Sequence, residues 1–167
     1  MKKAGDNMEL ILWRHAEAEI GEPEGESAGV PDSGRRLTTK GRKQAAKMAE
    51  WLAANLPDSC KILVSPAIRA VQTAEALGRK FKIDPDLAPG ASVDQILTAA
   101  NWPNSKEPVL IVGHQPALGQ VAAALVAGVE QDWGIRKANV WWIAQKDSGD
   151  NSGNYLRAVM APELIKK

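Results

Sequence analysis

The 167-residue chain has a single cysteine, Cys60, which excludes an internal disulfide bond. A composition so poor in cysteine favours a reducing compartment. No apolar run approaches the roughly 18 residues that a membrane-spanning helix needs, and residues 1–7 are too polar for the apolar core of a signal peptide. We therefore expect a cytoplasmic protein without a membrane partner, in which residues 1–7 form a flexible leader.

An excess of charge of either sign is also missing, because 21 basic and 20 acidic residues give a formal net charge of +1. A bulk charge of this size gives no affinity for nucleic acid. The chain likewise lacks paired cysteines, a His-Glu-x-x-His motif and an aspartate cluster of the kind that binds magnesium. The sequence therefore predicts neither a nucleic-acid partner nor a metal ion or other cofactor.

Short apolar runs alternate with helical patterns along the chain, which is typical of an α/β fold. We predict a three-layer sandwich with a mostly parallel central sheet, helices on both faces and one antiparallel edge hairpin. The length of residues 8–167 favours a single domain. The predicted strands cover residues 8–13, 61–64, 109–112, 139–145 and 155–160. The predicted helices run from Thr38 or Thr39 to Pro57, over residues 67–81, from Ser92 to Ala100, and from Pro116 to Gly128.

The two histidines of the chain each follow a predicted strand, where open α/β sheets bind their ligands. Arg14 and His15 end the first strand, and His114 ends the third. Arg69 lies in the first turn of the helix after the second strand. Because these positions share one edge of a parallel sheet, we expect the four side chains to converge on an anion. A guanidinium group bonds two oxygen atoms at once, which favours phosphate.

Such a site indicates phosphoryl transfer. A neutral imidazole nitrogen is a good nucleophile that can form a covalent intermediate. Preorganised cations lower the barrier that the charged phosphate oxygens impose on its attack. With arginines and a second imidazole in place, we expect this chemistry to proceed without a metal ion.

Four motifs in this region resemble those of the histidine phosphatase superfamily, also called the phosphoglycerate-mutase-like fold. They occur in the order found in that family. Within the superfamily, the short chain most resembles the SixA-type phosphohistidine phosphatases. The motifs are Arg-His-Ala-Glu at 14–17, Leu-Thr-Thr-Lys-Gly at 37–41, Ser-Pro-Ala-Ile-Arg-Ala-Val-Gln-Thr-Ala at 65–74, and Val-Gly-His-Gln-Pro at 112–116.

The resemblance implies a role for each of the four converging residues. His15 is expected to be the nucleophile that transiently carries the phosphoryl group, while Arg14, Arg69 and His114 hold the phosphoryl oxygens. The chain departs from the family motif at residue 16, where Ala16 replaces the usual glycine.

A second departure concerns the carboxylic acid with which many members protonate the leaving group, because no motif assigns it here. Glu17 and Asp32 are candidates for this acid. Arg36 is a candidate flanking cation, and the adjacent Arg35 could widen the same positive field, although an exposed loop position is an equally good interpretation for both. These residues lie in or next to a long loop over residues 16–36, which we expect to border the site.

The missing acid favours a phosphorylated histidine as the substrate, because imidazole leaves as a neutral molecule whereas an alkoxide needs a proton. Only the 44 residues 70–113 separate Arg69 from His114, which leaves little chain for a lid and favours a phosphoryl group on a protein surface. The alternatives are a small-molecule phosphomonoesterase that uses Glu17 or Asp32 as its acid, and a non-catalytic phosphate-binding module. We also expect activity to fall at low pH as His15 becomes protonated.

Overall fold

A computed structural model describes residues 7–20, 32–146 and 153–166. Most of the predicted leader, residues 21–31 of the long loop, and residues 147–152 of the predicted hairpin connection lie outside the described residues. The division of the chain into a leader and one domain over residues 8–167 stays a prediction.

Within the described residues, strands and helices alternate as the sequence predicts. The strands are β1 (Glu9–Arg14), β2 (Lys61–Val64), β3 (Lys82–Ile83), β4 (Val109–Gly113), β5 (Val140–Ala144) and β6 (Tyr155–Met160). The α-helices are α1 (Thr39–Asn55), α2 (Ile68–Glu75), α3 (Val93–Ala99) and α4 (Ala117–Ala127). Short 3₁₀ helices lie at Asp32–Gly34, Pro85–Leu87 and Pro162–Leu164.

The strands form one six-stranded sheet in the order β3-β2-β4-β1-β5-β6. The first four strands of that order are parallel, whereas β5 runs antiparallel to both β1 and β6. This arrangement confirms the predicted mostly parallel sheet with an antiparallel hairpin at its edge. It also places the carboxyl ends of β2, β4 and β1 next to one another.

Helices cover both faces of the sheet, which confirms the three predicted layers. Successive residues of a strand point to opposite faces, and β1 shows this directly. Ile11 and Trp13 pack in a core cluster with α1 and α2, while Leu10 and Leu12 pack in a second cluster with α3 and α4. All four side chains are fully buried. None of the helices in the described ranges has both the length and the apolar character needed to cross a membrane.

The helix predicted over residues 67–81 is too long, because α2 ends at Glu75. The apolar spacing that suggested the longer helix continues to Phe81, but the backbone turns at Gly78, whose φ is +70°. Glycine adopts this left-handed conformation without a steric penalty. The chain then forms the short strand β3, which the sequence analysis missed because its two residues are exposed and form no apolar run.

The first turn of α1 lies against the segment that follows β1. Thr38, one of the two predicted cap residues, caps the helix by accepting a hydrogen bond from the Gly41 backbone N–H at 3.0 Å. The Thr38 N–H itself donates to the Glu17 carbonyl oxygen at 3.0 Å. A Cβ atom on Gly41 would lie 2.0 Å from that same oxygen. The contact therefore requires glycine at position 41, the last residue of the Leu-Thr-x-x-Gly motif.

We expect Gly41→Ala to destabilise the protein, because the new methyl group forces two backbone segments apart. The expected loss is about 2 kcal/mol or more in the free energy of unfolding, typical of overpacking. Denaturant titration of the variant and the wild type measures it. Gly134→Ala is the matched control, since a Cβ atom there meets nothing within 4 Å. Equal stabilities for the two variants would contradict the close contact.

Candidate active site

The two histidines lie side by side at the carboxyl ends of β1 and β4. Arg14 pairs with Gly113 in the parallel register, so His15 and His114 follow adjacent strand ends. Their ring centroids are 5.2 Å apart and the ring planes are tilted by 53°. Each histidine is 6% exposed. The structure thus brings together the two imidazoles that the sequence placed at strand ends.

The His15 ring is held by the backbone of the residue that follows it. Nδ1 lies 2.7 Å from the Ala16 carbonyl oxygen, which can only accept a hydrogen bond. Nδ1 must therefore carry the proton, and Nε2 keeps the lone pair that a nucleophile needs. The Ala16 N–H donates to Thr73 Oγ1 at 3.0 Å, and that hydroxyl donates to the Arg69 carbonyl oxygen at 2.7 Å. These bonds tie the backbone next to His15 to α2.

The alanine that replaces the family's glycine fits its position. Ala16 is fully buried and belongs to the core cluster beneath α1 and α2. Both of its backbone hydrogen-bonding groups are used in the contacts that orient His15. The extra methyl group therefore contributes to packing, and both backbone groups of Ala16 keep their hydrogen bonds.

A serine orients the second imidazole. Ser65, which follows β2, has its Oγ 2.7 Å from Nε2 of His114. The same oxygen accepts a hydrogen bond from the Ala67 N–H at 3.2 Å, which leaves the serine O–H free to donate. We assign that donation to His114 Nε2, so that the proton of the neutral ring lies on Nδ1.

Two guanidinium groups complete the cluster. Arg14 donates from Nη1 to the Ile135 carbonyl oxygen at 2.9 Å. Arg69, in the first turn of α2 and 4% exposed, donates from Nη1 and Nη2 to the carbonyl oxygen and a carboxylate oxygen of Asp32, at 2.7 and 3.1 Å. Burial, together with the positive charge of Arg69, lowers the pKa of Arg14 from its usual value.

Three buried nitrogen atoms of this cluster have no hydrogen-bond partner among the described residues: Arg14 Nε, Arg69 Nε and His114 Nδ1. With the tautomer assigned above, each carries an N–H that can donate. A buried donor left without an acceptor costs about 1–3 kcal/mol, so folded proteins rarely keep several together. A tetrahedral oxyanion supplies several acceptor oxygens at once. The arrangement is therefore suited to a phosphoryl group.

Both imidazoles are neutral in this environment. The pKa of His15 is lowered to about 3, mainly by burial and also by the neighbouring charges of Arg69 and Arg14, while the hydrogen bond to the Ala16 carbonyl oxygen opposes the shift. Burial and the charge of Arg69 lower the pKa of His114 to about 4. The sequence predicted that activity falls at low pH as His15 is protonated. Because the pKa of His15 is lowered from its usual value of 6.5, this protonation occurs at a much lower pH.

Asp32 lies between two guanidinium groups. Its carboxylate accepts hydrogen bonds from Arg69 at 3.1 Å and from Arg35 at 3.0 Å. Although burial alone raises the pKa of Asp32, the Arg35 hydrogen bond and the Arg69 charge lower it overall. Asp32 is thus ionised at neutral pH, where it is a poor proton donor. Arg36 is exposed, so Arg35 is the loop arginine that joins the cluster.

The Glu17 carboxylate points toward the start of α1. Its Oε2 accepts a hydrogen bond from Thr38 Oγ1 at 3.1 Å, and the side chain lines a groove together with Arg14. Among the hydrogen bonds and ion pairs of the described residues, none joins this carboxylate to either imidazole. In the described ranges, no group of three or more histidine, cysteine, aspartate or glutamate side chains is arranged to hold a metal ion.

Comparison with known proteins identifies the family. A model of the histidine phosphatase superfamily (branch 1) matches residues 10–92. Phosphohistidine phosphatase SixA of Escherichia coli (strain K12) is 30% identical over 129 residues, which cover 72% of this chain and 76% of the relative. The chain belongs to the histidine phosphatase superfamily. This membership confirms the resemblance seen in the motifs and makes the protein a phosphatase, a class of hydrolase.

One solved structure and one further relative each match most of this chain. A structure of the protein histidine phosphatase SixA complexed with tungstate superposes with a TM-score of 0.74 at 26% identity, covering 95% of this chain and 100% of that chain. An uncharacterized protein of Picosynechococcus sp. is 35% identical over 131 residues, which cover 72% of this chain and 74% of the relative. The superfamily fold thus extends well past the four motifs.

Two polar residues of the site were not assigned a role from the sequence. Ser65 and Thr73 lie within the third motif, but their function as supports for His114 and Ala16 depends on contacts between distant segments. Arg35 was considered only as part of a wider positive field, and the structure shows that it pairs with Asp32, three residues earlier.

The two imidazoles should titrate well below the usual histidine range. Since folding lowers both pKa values, each ring is neutral in the folded protein at about pH 5, where an unfolded histidine is mostly charged. Side-chain nitrogen NMR of labelled protein between about pH 3 and 8 measures this, with urea-unfolded protein as the control. Titration of both rings near 6.5 in the folded state would contradict the buried, cation-flanked site.

Proposed function

We propose that this protein is a phosphohistidine phosphatase that removes a phosphoryl group from a histidine on another protein, through a covalent intermediate on His15 and without a metal ion. One observation carries the proposal: Arg14, Arg69 and His114 each hold a buried N–H donor without a partner among the described residues, and the neighbouring His15 keeps its lone pair on Nε2. The donors suit the phosphoryl oxygens, and the lone pair suits attack on phosphorus. Arg14, Arg69 and His114 have the binding role and His15 the nucleophilic role.

Two relatives support an oxyanion in this position. The E. coli relative is named a phosphohistidine phosphatase, and the similar SixA structure holds tungstate. Tungstate is a tetrahedral oxyanion with the shape and charge of phosphate. In this chain, a phosphoryl group bound by the three free donors lies next to the His15 ring, because His15 and His114 are 5.2 Å apart.

The first step transfers the phosphoryl group to His15. The Nε2 lone pair forms a bond to phosphorus as the P–N bond of the substrate breaks. The bonding electrons return to the substrate imidazole, which leaves as a neutral ring because its other nitrogen already carries a proton. The phosphorylated His15 ring is cationic, and the hydrogen bond from Nδ1 to the Ala16 carbonyl oxygen stabilises it.

The second step returns the enzyme to its starting state. Water forms a new P–O bond as the P–Nε2 bond breaks, and the electrons of that bond restore the lone pair of His15. The proton that water gives up moves to an oxygen of the released phosphate. The two guanidinium groups and His114 stabilise the charge on the phosphoryl oxygens in both steps. Neither step requires a carboxylic acid.

The carboxylates of the site favour a phosphorylated imidazole over a phosphate ester. An alkoxide is strongly basic and leaves only with a proton from the enzyme. Asp32 is ionised by its two arginines, and Glu17 contacts Thr38 rather than the imidazoles. A buried, neutral imidazole with a free lone pair argues against a module that only binds phosphate, because such a module needs no nucleophile.

We expect wild-type protein to hydrolyse a phosphohistidine peptide at least about 100-fold faster, by kcat/KM, than a phosphoserine peptide of the same sequence, because the ester lacks a proton donor. Glu17→Gln should leave phosphohistidine hydrolysis within a few-fold of the wild type. Glu19→Gln, at an exposed position two residues away, is the matched control.

Faster hydrolysis of the phosphoserine peptide would overturn the proposal in favour of a phosphomonoesterase. A loss of about 100-fold on phosphohistidine in Glu17→Gln alone would identify Glu17 as a general acid, contrary to the acid-free mechanism. Binding of inorganic phosphate without hydrolysis of either peptide would indicate a non-catalytic module.

A further inference from the structure

A groove of about 660 Å³ lies beside the reaction centre, between α1, the segment before β5 and the 3₁₀ helix Pro162–Leu164. Its walls carry two carboxylates, Glu17 and Glu163, and a larger number of cations. The six cationic side chains are Arg14, Lys40, Lys43, Lys47, Arg136 and Lys137. The formal net charge of the chain is only +1, so the groove is strongly basic because cationic side chains cluster there.

The cations of the groove are available to a partner. Lys40, Lys43, Arg136 and Lys137 are exposed and Lys47 is half-buried. Across the part of the chain that the structure describes, none of these five side chains is recorded in an ion pair. The three lysines occupy successive turns on one side of α1 and extend over about 10 Å, from the rise of 1.5 Å per residue. They form a charged stripe rather than a single point.

The groove is continuous with the reaction centre through Arg14. This side chain lines the groove, and its buried Nε is one of the three free donors of the phosphoryl site. Arg136 directly follows Ile135, whose carbonyl oxygen holds the Arg14 guanidinium at 2.9 Å. A partner that places its phosphoryl group beside His15 therefore extends its neighbouring surface across the basic stripe.

We propose that this groove is a docking surface for acidic residues that flank the phosphohistidine on a partner protein. The inference deepens the proposed function and rests on it. Flexible, exposed ammonium groups spread over about 10 Å suit several carboxylates on a protein face, and they raise the rate of encounter with an acidic partner. A compact anion such as a single phosphate is held by fixed, buried donors. The five cations beyond Arg14 are not buried, so the groove suits a protein surface better than a compact anion.

Two synthetic peptides test the groove, one with a phosphohistidine flanked by four glutamates and one flanked by four glutamines. At low ionic strength, we expect kcat/KM of the wild type to be about 10-fold higher for the glutamate peptide, and the advantage to shrink as salt is added. The combined variant K40E/K43E/K47E should lose this preference. Its activity on phosphoramidate, a small substrate that does not reach the stripe, should stay close to that of the wild type.

The matched control is K80E/K82E/K106E, which changes net charge by the same amount at exposed lysines outside the groove. It should retain the preference for the glutamate peptide. Equal kcat/KM for the two peptides in the wild type, or an unchanged preference in K40E/K43E/K47E, would overturn the docking surface. Equal kcat/KM together with tight, stripe-dependent binding of tripolyphosphate would instead assign the groove to phosphate chains.

Fluorescence anisotropy separates a failed docking surface from a failed proposed function. The unphosphorylated glutamate peptide, labelled with a dye, should bind the wild type and the control at least about 10-fold more tightly than K40E/K43E/K47E. If this difference holds while no phosphohistidine substrate is hydrolysed, the docking surface stands and the proposed function falls. If hydrolysis holds without this difference, the docking surface alone is wrong.

Discussion

The hydrogen bond from Nδ1 of His15 to the Ala16 carbonyl oxygen determines which nitrogen of the ring can react. A carbonyl oxygen has no proton to give, so this contact fixes the tautomer and leaves the lone pair on Nε2. The other supports of the site keep that contact in place. Thr73 holds the Ala16 N–H, and Gly41 lets α1 lie against the Glu17 carbonyl oxygen one residue further on.

Burial and the two arginines together determine the charge state of the site. Burial makes protonation of either imidazole unfavourable, and two neighbouring guanidinium groups add to this effect, so both rings stay neutral. A dianionic phosphoryl group reverses the balance, because it accepts from the free donors and offsets the two positive charges. In the proposed mechanism, the same cations help to keep His15 neutral in the free protein and stabilise the charge that develops during transfer.

The sequence predicted the architecture well where periodic patterns decide it. The limits of β2 and β6 and the cap of α3 at Ser92 match the structure, because alternation and capping are local signals. It overextended α2, since helical spacing continues past a glycine whose left-handed backbone only the structure reveals. It also favoured Arg36, whereas Arg35 pairs with Asp32, because which of two adjacent arginines faces inward depends on tertiary contacts.

The family motifs located the site, and contacts between distant segments explain how it works. The free donors on Arg14, Arg69 and His114 follow from bonds to Ile135, Asp32 and Ser65, none of which sequence spacing could assign. Similarly, the basic groove depends on the packing of α1 beside the segment before β5. The residue types that we propose as catalytic are thus readable from sequence, while their protonation states and surroundings require the fold.

The central claim is that His15 becomes covalently phosphorylated during turnover, and rapid quenching tests it most directly. Protein mixed with a phosphohistidine peptide is quenched at alkaline pH, which protects the P–N bond, and analysed by intact mass and peptide mapping. The account predicts the mass of one added phosphoryl group on the wild type, mapped to His15, and none on His15→Ala. Phosphate release without an adduct on the wild type, or an adduct mapped to His114, would contradict it.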